Sequence, residues 1–278
     1  MSDIGSREGL LLAEDGGVDL SQPREAAVLF REAYSAVEED ARNEPKDYLS
    51  RDHIAECRLY LGNVRRHSSP RQALETYDHG LMRIREVPSD IDIQARRQEA
   101  ALLAASSYAA RWLHREGDAR HRIEAAFRLL RETKDYPFET IKLGSEADAT
   151  LRALADHYAE TSEPNQALEA YQDMRGKILK SNPDAQNDLL NAAQLSRLDA
   201  TLAGLLRRAG RSEGAALWSK IAWSCGGTGT GSCRINRSCS GRLRASSTGT
   251  KSDPKKTYGR KRIFRSGDAG RSVGLTDR

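Results

Sequence analysis

Between about Gln22 and Trp218, apolar residues recur at three- and four-residue steps, the period of amphipathic helices. Pro23 suits a first helical turn, Ser21 stands where a cap would, and Ala27, Phe30, Tyr34 and Val37 follow as one stripe until Asn43-Glu44-Pro45. A second helix is predicted from about Lys46 to Arg66, with Leu49, Ile54, Leu59 and Leu61 on its apolar face. His67-Ser68-Ser69-Pro70 turns the chain into a third, carrying Ala73, Leu74, Tyr77, Leu81 and Ile84. Beyond Val87-Pro88-Ser89-Asp90 an alanine-rich helix is predicted over 91–115. Glu116-Gly117-Asp118 reads as a turn, and its partner helix as 119–133. Helices are predicted again over 139–160, 164–180, 184–209 and 212–222, with breaks at Tyr136-Pro137, Thr161-Ser162-Glu163, Asn182-Pro183 and Ala209-Gly210-Arg211. No strand-like alternation between hairpin turns interrupts this region.

The helices fall into pairs, and the second of each pair carries a small or aliphatic residue with a large one four positions on: Ala73 with Tyr77, Ile123 with Phe127, Ala167 with Tyr171, and Gly214 with Trp218. From 73 to 123, 167 and 214 the spacings are 50, 44 and 47, a period long enough for one helical hairpin. A small residue lets two helices approach and a ring fills the space beside it.

Residues 151–183 resemble a tetratricopeptide (TPR) repeat: Leu151, Leu154, Ala155 and Tyr158 on the first helix, Ala167, Tyr171 and Met174 on the second, and Pro183 at the close. Leu61, Gly62, Ala73 and Tyr77 form a second match with its turn one residue shorter. TPR units repeat at about 34 residues, so the longer period here means either elongated first helices or an array that is only TPR-like. The resemblance implies an all-α fold, a right-handed superhelical array of antiparallel helix pairs, in short a TPR-like α-solenoid. It also implies a groove lined by the first helices, binding a protein or peptide partner. In that register Arg58, Asn63, Arg152 and Asp156 point into the groove, where charge and hydrogen bonds would grip a peptide. They do not reproduce the Lys/Asn set of TPR domains that bind chaperone tails. The runs Leu59-Tyr60-Leu61-Gly62-Asn63-Val64 and Ala73-Leu74-Glu75-Thr76-Tyr77 are also similar to TPR regions following the kinase domain of bacterial serine/threonine kinases. The kinase motifs themselves are missing: no Gly-rich loop ahead of a V-A-I-K lysine, no H-R-D and no D-F-G.

Charge divides the chain. Residues 219–278 hold 14 Lys+Arg and 3 Asp+Glu, a net of +11, leaving 30 basic and 37 acidic residues, a net of −7, for the rest. After about Ser224 the sequence becomes rich in Gly, Ser, Thr and Arg and loses its helical period, which predicts a basic disordered tail over 223–278 behind a repeat domain at 21–222 and a flexible segment at 1–20. Ile221 to Ser240 can also be encoded so that the neighbouring frame reads R-M-E-L-W-R-H-W-D-R-K-L-P-D-Q-S-F-V-Q, which points to a frameshift after about Lys220 and would strip the tail charge of meaning.

Candidate chemistry is sparse. Gly226-Gly227-Thr228-Gly229-Thr230-Gly231 lacks the following Lys-Ser/Thr and the preceding strand of a phosphate loop. Lys255-Lys256 and Arg260-Lys261-Arg262 form a basic patch of the kind that binds phosphate backbones, the basis of an alternative nucleic-acid reading. His53 and Cys57 lie one helical turn apart with no third ligand, so no metal or cofactor is expected. His114 and His121 read as surface residues, and Glu38-Glu39-Asp40 as a solvent face. No signal peptide and no membrane-length apolar run is seen, so a cytoplasmic, non-catalytic interaction scaffold is expected.

Overall fold

The computed structural model describes residues 8–10, 12–13, 20–88, 92–137, 139–211, 213–216 and 219. All lie in the first of two units, Met1–Gly231 and Ser232–Arg278. The predicted basic tail and Trp218 fall outside the described residues, as does most of the N-terminal segment. Eight helices are described in full: α1 Pro23–Asn43, α2 Leu49–Arg66, α3 Pro70–Ile84, α4 Ile93–Trp112, α5 Glu116–Glu132, α6 Glu146–Glu160, α7 Pro164–Lys180 and α8 Leu189–Arg208. Each packs on the next in sequence, and α2 packs on α4 and α4 on α6. That pattern is a row of helical hairpins, α2/α3, α4/α5 and α6/α7, whose first helices stand side by side: an all-α solenoid. No strand occurs among the described residues, and none of their helices is long and apolar enough to cross a membrane.

The second helices share one start. Ala26, Ala73, Ala119, Ala167 and Ala215 each donate their N–H to the residue four positions earlier, Gln22, Ser69, Arg115, Glu163 and Arg211. All five alanines are buried. Their spacings, read between those numbers, are 47, 46, 48 and 48. So α1 is itself a second helix, and the residues ahead of it belong to its partner: Glu8, Gly9, Leu10 and Leu12 are helical. A small side chain there lets the first turn approach the neighbouring helix closely. One turn on stand Phe30, Tyr77, Ile123 and Tyr171, all buried. Two of the rings lie over glycines of the opposite helix. A Cβ on Gly62 would stand 2.3 Å from Tyr77 Cε1, and one on Gly9 2.7 Å from Phe30 Cε1.

This register corrects the expected pairs. Ala119 pairs with Ile123, whereas Phe127 lies a turn further and packs on Tyr136 with ring centroids 5.0 Å apart. Ala215, not Gly214, takes the small position of the last pair. The cause is the start of α5: Glu116-Gly117-Asp118 is its first turn, where two carboxylates favour the helix N-terminus. The reversal is made at His114, with φ +56°. His114, Ser162 and Gly210 all have positive φ and stand 48 apart. In each case the next N–H reaches back five residues, to Ala110, Tyr158 and Leu206, closing the first helix.

The starts of α2, α6 and α8 also differ from expectation, α8 beginning at Leu189 behind the Asp188 cap rather than at 184, and the expected cap of α1 differs too. Ser21 has φ +56° and stands one residue ahead of the N-cap of α1, which is Gln22. α2 starts at Leu49, where the Asp47 carboxylate accepts the Leu49 N–H at 3.1 Å. α6 starts at Glu146, capped by Ser145 Oγ, rather than at 139. The repeat phase places Ile141 midway between Ile93 and Leu189, first residues of α4 and α8, which are 53% and 64% exposed. Ile141 is instead buried, and its N–H donates to Lys177 O at 3.1 Å. Burial of Ile141 and Leu143 holds the segment off the helix, and Gly144, at φ +73°, turns it into α6.

Candidate functional site

The face formed by α2, α4 and α6 carries a connected set of phenols, guanidinium groups and carboxylates. Tyr108 and Asp156 occupy the same place in consecutive units, five residues before the C-cap residues Leu113 and Thr161. Tyr108 donates its hydroxyl to Asp156 Oδ2 at 2.7 Å. Tyr171 of α7 donates to Asp156 Oδ1. In the earlier hairpin Tyr77 donates to Asn63 Oδ1 at 2.8 Å, so Asn63 and Asp156 do the same work. Two guanidinium groups stack on the Tyr108 ring, Arg66 from α2 at 4.6 Å from the centroid and Arg111 at 4.4 Å. Arg111 also reaches across to α6. Its Nη1 donates to Ala153 O at 3.3 Å, and its Nε stands 3.3 Å from Glu160 Oε2. Arg152 pairs with Asp148, one turn earlier on α6, at 3.2 Å.

The electrostatics keep this set polarised. Burial raises the pKa of all three phenols; Asp156 adds to the rise at Tyr108 and Tyr171, and Arg66 opposes it at Tyr77. The hydroxyls therefore stay protonated as donors. Burial pulls the Arg152 guanidinium down, but Asp148, Tyr171, Tyr108 and Asp156 outweigh it, so its pKa is raised. Burial lifts the Glu160 carboxyl; Arg111 opposes the lift and Asp156 adds to it. The opposite ends of these helices are acidic: burial, then Asp92, Glu56 and Glu146, push Asp52 up to about 6, with His53 opposing. The face thus has an acidic edge at the helix N-termini and cationic groups at the C-termini.

Three of the four residues expected in a groove lie on this face: Asn63, Arg152 and Asp156. Arg58 does not join them. Its guanidinium stacks on the Tyr34 ring of α1 at 3.6 Å, and its Cβ faces Gly80 of α3. The turn after α2 is one residue shorter than the others, which makes Leu59 the counterpart of Arg152. Sequence reasoning missed Tyr108, Arg66 and Arg111. The 48-residue step from Tyr108 to Asp156 would have found Tyr108. Cys57 is buried one helical turn from His53, and no group of three His, Cys, Asp or Glu among the described residues is arranged to hold a metal ion.

No protein-family profile matches the sequence. No curated protein matches it either. Solved structures do. BtubC (BKLC) from P. vanneervenii shares 16% identity at a TM-score of 0.54, over 95% of this chain and 96% of that one. A thermophilic TPR protein of Thermus thermophilus shares 14% identity at a TM-score of 0.48, over 81% and 91%. The first likeness concerns the fold alone.

Proposed function

We propose that this chain is a non-catalytic scaffold that holds a segment of a partner protein against the α2/α4/α6 face. The observation that carries the reading is the ladder Asn63–Tyr77, Tyr108–Asp156–Tyr171 with Arg66 and Arg111 on the Tyr108 ring. Its groups are held in place before any ligand arrives, which reduces the ordering cost of binding. The sequence resemblance to TPR repeats supports a peptide as the occupant, with Arg152 and Asp156 offering charge and Asn63 an amide. A photo-crosslinking residue placed at Arg152 should trap a defined partner from native extract, and one at Glu124, exposed on α5, should not. Equal labelling from both positions would sink the proposal. The likeness of residues 59–64 and 73–77 to kinase-associated TPR regions supports a serine/threonine kinase system as the setting, which a kinase gene adjoining this one would test. The alternative nucleic-acid reading rests on Lys255-Lys256 and Arg260-Lys261-Arg262 alone. It requires salt-dependent DNA retention that disappears on deleting residues 224–278.

A further inference from the structure

A cavity of about 410 Å³ opens between α2 and α3, away from the ladder, lined by Arg58, Arg65, Gln72, Glu75, Thr76 and His79. Tyr34 of α1 borders it, stacked under Arg58 at 3.6 Å and edge-on to His79 with centroids 6.0 Å apart. Glu75, exposed at the mouth, is the one carboxylate among the lining residues. We propose that this cavity is an oxyanion site that takes a phosphomonoester or carboxylate side chain of a partner segment.

Arg58, Arg65 and His79 line the cavity against a single lining carboxylate, Glu75. Arg58 Nε and His79 Nδ1 are buried and make no hydrogen bond. Both atoms are closed to solvent, so it is the outer edges of the two side chains that a ligand's oxygens meet. Arg65 spends one donor on Thr76 Oγ1 at 3.1 Å and keeps the rest of its guanidinium at the cavity wall. Its pKa is lowered by burial, then by the guanidinium groups of Arg31 and Arg58, which repel it. Burial and Arg58 also hold His79 below its ordinary value, with Glu38 and Glu86 raising it and Arg83 lowering it. A bound oxyanion relieves all of these at once: it accepts from Arg58 and Arg65, screens their repulsion, and favours the imidazolium at His79. The volume exceeds that of a bare phosphate, leaving room for the side chain that carries it. The site does not depend on the ladder face.

The test is titration of the full chain with O-phosphoserine and, separately, glutamate at low ionic strength and pH 7, followed by calorimetry and by the His79 imidazole signals in NMR. One equivalent should bind and weaken with salt. His79 should titrate at higher pH in the saturated protein than in the free one. Arg58→Met with Arg65→Met, and independently Gln72→Glu, which adds a carboxylate at the mouth, should each weaken binding by about tenfold or more. Arg120→Met on α5 should leave it unchanged. Tighter binding of O-phosphoserine would make the ligand a phosphomonoester, and tighter binding of glutamate a carboxylate. No binding of either at millimolar concentration, or an unmoved His79 titration, overturns the proposal. So does affinity that survives Gln72→Glu, a change at an exposed position.

Discussion

At the scale of single residues, the same amino acid does opposite work according to what faces it. Gly62 lies under the Tyr77 ring, whereas Gly176 of α7 has no atom within 4 Å of a built Cβ. Gly62→Ala should destabilise by about 1–3 kcal/mol through overpacking. Gly176→Ala should stabilise by about 0.5–1 kcal/mol through helix propensity. Urea unfolding of the two variants checks both, and Tyr77→Leu should restore much of the first loss. Asp52 behaves as a pH-dependent load. Its folded pKa is raised from 3.8 to about 6, so folding favours its protonated form. The stabilisation is complete below about pH 3.8 and disappears as pH rises through 6. Asp52→Asn should therefore raise Tm at pH 7.5 and leave it unchanged near pH 3.5. Solvent screening at this half-buried site limits the gain to about 1 kcal/mol, or roughly 2–4 °C. The residue pairs were only partly legible in the sequence. Ala73 with Tyr77 and Ala167 with Tyr171 were readable because Pro70 and Pro164 mark their helix starts. Ala119 with Ile123 was not, because the turn before α5 is made by a histidine at positive φ and Gly117 supplies a false signal.

At the scale of helices, the seams between hairpins hold the sharpest energetic contrasts. Asp199 of α8 is 1% exposed and accepts from Arg175 Nε of α7 at 2.5 Å. Asp199→Ala should cost about 3–5 kcal/mol, since it takes the buried carboxylate away from the guanidinium it holds. Arg175→Met combined with Asp199→Leu should recover most of that, and a thermal melt of both variants distinguishes the two outcomes. Asp156 joins three helices in the same way. Asp156→Ala leaves two phenols without acceptors, at about 1–3 kcal/mol each by the general cost of an unpaired buried donor. Helix existence was legible from α1 to α8, where the three-to-four-residue period recurs, but not ahead of α1: residues 1–20 read as flexible, and Glu8, Gly9, Leu10 and Leu12 are helical. Helix starts were not legible, because α6 yields its expected first turns to an extended segment whose reason is tertiary: Ile141 and Leu143 gain burial, and the Ile141 N–H finds Lys177 O.

Across the whole described array, α2, α4 and α6 form one wall and α3, α5 and α7 the other, so a polar ladder and a cationic cavity can occupy different parts of one surface without sharing residues. The ladder was hardest to read from sequence because its equivalent positions hold unlike residues: Asn63, Tyr108 and Asp156. Repetition here preserves geometry and lets the chemistry vary from unit to unit, which is what a surface specialised along its length requires.

The constant interval between His114, Ser162 and Gly210 carries a consequence for how such a chain can lengthen or shorten. Excising residues 116–163, one full step of 48, would join Arg115 to Pro164 and offer α4 a new mate in α7 at the native angle, its Ser107 standing where Ala155 stood. Such an abridged protein should melt in a single sigmoidal transition with undiminished helicity per residue. Cutting two residues fewer should leave a broad, non-cooperative melt, because two residues carry a helix about 200° around its axis.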